Sequence, residues 1–261
     1  MYKSLILGVF GKGGVGKTTV SLALALSLKK AVVITTDPYP GLKELLPNPP
    51  NGIELVEISY EHLKQEWKKE FGKEAYELFR GVADVDEEFI EYLSSAPGLV
   101  EQYAVYRVMK ERDRGHVVIW DTQAAPGAMS LIKAELEFYN HLNKAIFYWG
   151  KLKKLLSRDV NLEKIIKKWR DVAEFTLNSL KDTRTVIVAN EDKLSLKVAE
   201  SIANELKEFT DFRGFILNKL KSTKPIQLSG EVLAKIPELD NPSPESVSRF
   251  ISPKLLDLLL R

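Results

Sequence analysis

Residues 11–18 read Gly-Lys-Gly-Gly-Val-Gly-Lys-Thr. A glycine, four residues, then Gly-Lys-Thr is the spacing of a loop that wraps a polyphosphate with its own backbone. No other stretch constrains the fold as strongly, because such a loop joins a strand to a helix. Both flanks comply. Ser4-Leu5-Ile6-Leu7-Gly8-Val9-Phe10 is a buried-strand run, and Thr19 to Lys30 carries Val20, Leu22, Leu24, Leu26 and Leu28 among alanines. The expected phosphate cradle is Gly13, Gly14, Val15, Gly16, Lys17, Thr18 and Thr19. Its N–H groups converge as an anion nest, with the positive end of the following helix behind them. Lys17 is placed to reach the β- and γ-phosphates, and the Thr18 hydroxyl to ligate Mg²⁺.

Downstream, apolar runs at 31–36, 53–58, 116–120, 185–189, 214–218 and 232–236 read as strands. Between them lie helical patterns, near 86–93, 99–112, 131–156, 162–180 and 194–209. One begins at Tyr60, where Leu63, Trp67, Phe71, Ala75 and Leu78 recur three or four residues apart. Alternation of this kind predicts an α/β fold, a mostly parallel sheet with helices on both faces, and the loop at 11–18 makes a P-loop NTPase sheet the expectation. We expect a single domain over 1–261, with a helical elaboration from about 60–112 and 131–180.

In such sheets the strand ends carry the chemistry. Asp121 closes an apolar strand, the expected place for a carboxylate that holds Mg²⁺. Asp37 closes the strand after the loop's helix and could orient an attacking water, for which the loop supplies no proton acceptor.

Lys12 follows the first glycine, giving Lys-Gly-Gly-Val-Gly-Lys-Thr-Thr. This resembles the deviant loop of the ATPases that include ParA, MinD, the nitrogenase iron protein and the ArsA group. The resemblance implies that Lys12 crosses a homodimer interface to the partner's nucleotide, where a cation stabilises the transferring phosphoryl group. Four further segments resemble the ArsA group of arsenite-pump and tail-anchored-protein-targeting ATPases. They are Thr36-Asp37-Pro38, Ser95 to Glu101, Asn190 to Glu200, and Phe215-Ile216-Leu217-Asn218-Lys219-Leu220. The likeness implies ATP and Mg²⁺ as ligands, Asn218 on the adenine edge, Pro237 in a loop closing over the base, and a protein client. Two segments depart from the group. Its second switch reads Asp-Thr-Ala-Pro-Thr-Gly-His-Thr, whereas this chain reads Asp121-Thr122-Gln123-Ala124-Ala125-Pro126-Gly127-Ala128. The first switch has Tyr39-Pro40-Gly41 in place of Ala-His-Asn.

Composition removes several classes. There are no cysteines. That excludes disulfides, thiolate zinc, cysteine-ligated iron–sulfur clusters and arsenite capture through thiolates. The 38 basic and 36 acidic residues leave a net charge of +2, which argues against a general nucleic-acid footprint. No apolar run approaches membrane-spanning length, so stable membrane insertion is not expected. The chain enters a strand directly, so a cytoplasmic protein without a signal peptide is expected.

Three functions stay open on the residues. The first is an ArsA-type dimeric ATPase in which nucleotide state switches helical flaps against a client. The second is a positioning ATPase of ParA/MinD type on DNA or a membrane surface. The C-terminal run Phe250 to Arg261 could serve that role as a surface-seeking helix, or could be a packed core helix. The third is a nucleotide-dependent scaffold with little or no hydrolysis, suggested by the altered second switch. The helices at 60–92 and 131–180, including Phe138, Leu142, Ile146 and Trp149, could bind a client or cover a dimer.

Overall fold

Apolar runs too short for helices become strands, and the amphipathic stretches between them become helices. In chain order the elements are β1 (Leu5–Gly11), α1 (Lys17–Leu28), β2 (Ala31–Thr35), α2 (Leu42–Leu45) and β3 (Ile53–Glu57). Then come α3 (Tyr60–Arg80), α4 (Glu87–Leu93), α5 (Leu99–Glu111), β4 (Val117–Asp121), α6 (Gly127–Leu152) and α7 (Leu162–Lys181). The chain finishes with β5 (Arg184–Ala189), α8 (Lys193–Phe209), β6 (Asp211–Leu220), β7 (Val232–Pro237), α9 (Pro244–Ser248) and α10 (Pro253–Leu260). The computed structural model describes residues 4–80, 87–95, 99–124, 127–152 and 162–261. Segments 96–98 and 125–126 of the family-like stretches, and the side chains of Phe138, Leu142, Ile146 and Trp149, lie outside the described residues.

The strands form one seven-stranded sheet in the order β3-β2-β4-β1-β5-β6-β7. Every pairing is parallel, a stricter arrangement than the mostly parallel sheet expected. β1 lies between β4 and β5, where the strand order reverses. A crevice opens at such a switch point, beyond the carboxyl ends of the strands. The loop after β1 sits there.

The chain divides into two compact units. One comprises residues 1–58, 108–129 and 180–261; the other comprises 59–107 and 130–179. In the sheet unit both faces of the central strands are buried. Leu5, Leu7 and Val9 of β1 join Val33, Ile119, Val186 and Val188 in a core closed by Val20 and Leu24 of α1, Val247 of α9 and Leu255 of α10. The alternate residues Ile6, Phe10, Trp120, Ile187 and Phe215 are also buried, outside that cluster, as are Ala199, Ile202, Ala203 and Leu206 of α8. Two-sided burial explains why these strands read as continuous apolar runs without alternation.

The helical unit has its own core. Leu63, Trp67, Phe71 and Ala75 of α3 are buried at the predicted spacing, whereas Tyr60, which opens the same series, is 42% exposed. Phe71 meets Tyr103, Tyr106 and Trp169 with ring centroids 6.1, 6.2 and 6.5 Å away. The Glu70 carboxylate accepts both tyrosine hydroxyls, at 2.9 and 2.8 Å. Among the described residues no helix is long and apolar enough to cross a membrane.

Candidate functional site

The loop leaves β1 at Gly11 and delivers α1 at Lys17. Gly16 is the N-cap, with φ 93°, and no side chain caps the helix. The first turn of α1 therefore presents backbone N–H groups that no side chain of its own satisfies, and it carries no acid. That end of a helix accepts an anion. Only glycine fits at position 16, because an added Cβ would lie 2.5 Å from Asn218 Nδ2.

Lys17 is 8% exposed. Its ammonium makes one long hydrogen bond, 3.4 Å to the Lys12 carbonyl. Burial pulls its pKa below the usual lysine value, opposed first by Asp121 and then by Asp37. A buried cation this weakly satisfied is suited to a polyanion.

β4 carries Asp121 to the crevice, where it is 2% exposed. Thr18 Oγ1 donates to its Oδ2 at 3.0 Å, and Ser21 Oγ donates to its Oδ1 at 3.1 Å. Burial pushes the Asp121 carboxyl up to about 6, against the pull of Thr18, Ser21 and Lys17. Thr18 and Asp121 are hard oxygen ligands, and Mg²⁺ takes one or two of these and completes its shell with phosphate and water. No group of three or more His, Cys, Asp or Glu gathers among the described residues. The donor set thus fits a metal that arrives with its phosphates.

Asp37 follows the end of β2. Trp120 Nε1 donates to Thr36 Oγ1 at 3.0 Å, and Thr36 N–H donates to the Asp121 carbonyl at 3.3 Å. These bonds hold Thr36 beside β4. Asp37 accepts from the Tyr39 N–H at 2.9 Å, which leaves its second oxygen available. In the segment that follows β4, the Thr122 hydroxyl donates to the Val9 carbonyl at 2.8 Å. In the same segment the Ala124 methyl faces Gly13 across 3.7 Å, measured to the Cβ that Gly13 lacks.

Lys17, Thr18, Asp37 and Asp121 thus gather beside β1, and the Lys12 carbonyl accepts from the Lys17 ammonium. Val15 is buried, and Thr19 lies half-buried on the first turn of α1. Asn218 stands at the end of β6 with its amide nitrogen donating to the Val15 carbonyl at 2.8 Å. One of its N–H groups is therefore engaged with the loop. Pro237 ends β7 at the sheet edge, away from the phosphate loop. Its neighbour Glu238 lines a cavity of about 550 Å³ together with Asn190, Lys219, Lys221 and Ile226, across the ends of β5, β6 and β7. Asn190 Oδ1 is buried without a hydrogen-bond partner among the described residues.

Sequence reading overlooked two contributors. Ser21 is a hydroxyl three residues after Thr18, so both lie on one face of α1, and that spacing was the available signal. Lys219 donates to the Gly14 carbonyl at 2.9 Å. Nothing local distinguishes it from a solvated strand-end lysine.

A family model for anion-transporting ATPases matches residues 4–234. The chain is 26% identical over 223 residues to a protein of Aquifex aeolicus (strain VF5) that bears the provisional name arsenical pump-driving ATPase 2, covering 76% of this chain and 74% of that one. Among solved structures it is similar to the MinD cell division protein of Aquifex aeolicus, at 15% identity and a TM-score of 0.40, covering 98% of this chain and 86% of that one. It is also similar to the MinC:MinD cell division protein complex of Aquifex aeolicus, at 15% identity and a TM-score of 0.41, covering 98% of this chain and 85% of that one.

Proposed function

The chain belongs to the anion-transporting ATPase family, and from that premise we propose that it is a Mg²⁺-dependent ATPase acting as a homodimer, whose nucleotide state governs how its helical unit holds a protein client. The observation that carries this reading is the buried Lys17 beside the Thr18–Asp121 pair, at the uncapped end of α1.

Each residue has a part. The loop N–H groups and Lys17 take the β- and γ-phosphates and compensate their charge. Thr18 and Asp121 would hold Mg²⁺, which when bound neutralises charge on the phosphate oxygens. Asp37 would accept a hydrogen bond from a water and so turn that water's own lone pair toward the γ-phosphorus. Lys12 has no hydrogen bond or ion pair through its ammonium among the described residues, and we assign it to the nucleotide of a second copy. Asn218, Pro237 and the cavity at the ends of β5, β6 and β7 are assigned to the adenosine moiety. We take the helical unit as an elaboration of one ATPase domain. With no cysteine in the chain, its cargo is not arsenite held by thiolates.

The test is ATP binding by calorimetry and phosphate release, each with and without Mg²⁺, on the wild type and on Lys17→Ala. Binding and turnover in the wild type, and neither in the variant, support the reading. Binding without turnover would make the protein a nucleotide-dependent scaffold. Equal affinity in both proteins would remove the loop from the site.

A further inference from the structure

The phosphate loop is gripped from behind. The Val15 carbonyl accepts from Asn218 Nδ2 at 2.8 Å, and the preceding carbonyl, of Gly14, accepts from Lys219 Nζ at 2.9 Å. Two consecutive residues of β6 thus hold two consecutive peptide units of a loop more than two hundred positions earlier in the chain. The contact is close enough that a Cβ on Gly16 would lie 2.5 Å from the Asn218 amide.

The backbone of β6 is bent to make this grip. Lys219 has φ 55° and, with Lys29, is one of two described non-glycine residues at positive φ. Lys29 is an ordinary left-handed helix C-cap. Lys219 lies inside a strand, where no helix end accounts for it. The β6–β7 ladder also loses its register between Leu217 and Leu220, at the same two residues. A left-handed lysine is costly and persists where other contacts over-determine it.

The consequence follows from peptide planarity. In a trans peptide the C=O and N–H point in opposite directions. Holding the Gly14 carbonyl on one side turns the Val15 N–H to the other, and holding the Val15 carbonyl does the same for the Gly16 N–H. Glycines around these peptides would otherwise let them rotate freely.

We propose that Asn218 and Lys219 form a brace that sets the Val15 and Gly16 N–H groups toward the phosphates before nucleotide arrives. Lys219 is then a positioning residue for phosphate binding and transfer, acting on the phosphates through Gly14 rather than by direct contact with them. The inference rests on the ATPase reading above.

Binding of Mg²⁺·tripolyphosphate, which has no base or ribose, isolates the loop from the cavity that Lys219 also lines. We compare the wild type with Lys219→Met, Lys219→Arg and Lys219→Gly by calorimetry, in parallel with ATP. The Met variant should bind both ligands about tenfold more weakly. The deficit should persist at about 0.5 M salt, where a through-space charge effect is screened. The Arg variant should come within about twofold of the wild type, because its guanidinium still donates to the carbonyl. The Gly variant relieves the positive φ and should unfold at no lower temperature, yet bind as weakly as Met. That split between stability and affinity is not expected of a residue that only stabilises the fold.

Equal tripolyphosphate affinity in the wild type and the Met variant overturns the brace while leaving the ATPase reading intact. A loss confined to ATP also overturns it, since Lys219 would then act on the base. A wild type that binds neither ligand brings down the ATPase reading, and the brace with it.

Discussion

Thr18 Oγ1 and Asp121 Oδ2 stand 3.0 Å apart although 103 residues separate them in the chain. One belongs to the first turn of α1 and the other ends β4, so the bond exists only when β1 and β4 pair in register. If the pair holds Mg²⁺, Asp121→Asn keeps the shape and removes the charge. The gain in ATP affinity on adding Mg²⁺ should shrink by about 10- to 100-fold, with Mg²⁺-free binding little changed. Titrating ATP with and without the metal measures this, and an undiminished gain would take Asp121 out of the metal site.

Lys12 and Lys17 flank the same loop but should fail differently. Lys12→Ala should keep most of its nucleotide affinity and lose both turnover and ATP-induced dimerisation. Light scattering with a non-hydrolysable ATP analogue reads the second effect. A variant that still dimerises and turns over ATP normally would reduce Lys12 to a solvated loop residue.

Asp37 should act on the water alone. Asp37→Asn is expected to bind Mg²⁺·ATP as the wild type does while turning it over about 10²-fold more slowly, because the amide cannot draw a proton from water. Phosphate release at saturating ATP decides the matter. Wild-type turnover in the variant would assign the water to another group.

Glu135 gives the helical unit a pH dependence. It is 3% exposed on α6, and burial alone pushes its carboxyl up to about 8. Below about pH 4.5 the folded and unfolded chains both hold the proton, and the side chain costs nothing electrostatically. Between there and about pH 8 only the unfolded chain releases it, so stability falls as pH rises, by at most about 1.4 kcal/mol per unit. Above about pH 8 the loss is complete. Glu135→Gln should abolish this slope. Denaturant midpoints of the two proteins from about pH 5 to about pH 8 should converge toward the acid end and separate toward the alkaline end, and parallel curves would count against the assignment.

The parts of the fold that were legible in the sequence are those decided by neighbours in the chain. β1, β4 and β5 are unbroken apolar runs because both their faces are buried. The loop is legible because glycine, lysine and threonine are needed at fixed spacing around one polyanion. α3 announces itself through Leu63, Trp67, Phe71 and Ala75. α9 carries its own local signal: Ser243 and Ser246 form a reciprocal capping box with Pro244 at the first turn, inside Asn-Pro-Ser-Pro. The bond from Trp120 to Thr36 and the grip of Lys219 on Gly14 were not legible at all. Each joins residues whose proximity is a product of strand order, and no local preference encodes it.

The central place of β1 also sets an order of assembly. Leu7 pairs with Ile119 on one side and Arg184 on the other. The strand is made before either neighbour, β4 or β5, and must wait for both, with Leu, Ile, Val and Phe uncovered. Long loops have to close before those pairings return any free energy, which slows folding and leaves the nascent chain open to aggregation. The phosphate loop leaves the ribosome about two hundred residues before Asn218 and Lys219, which hold it from behind. A nucleotide that binds only the finished site can therefore act as a late clamp on folding, drawing the chain toward the native state only once β6 has been translated.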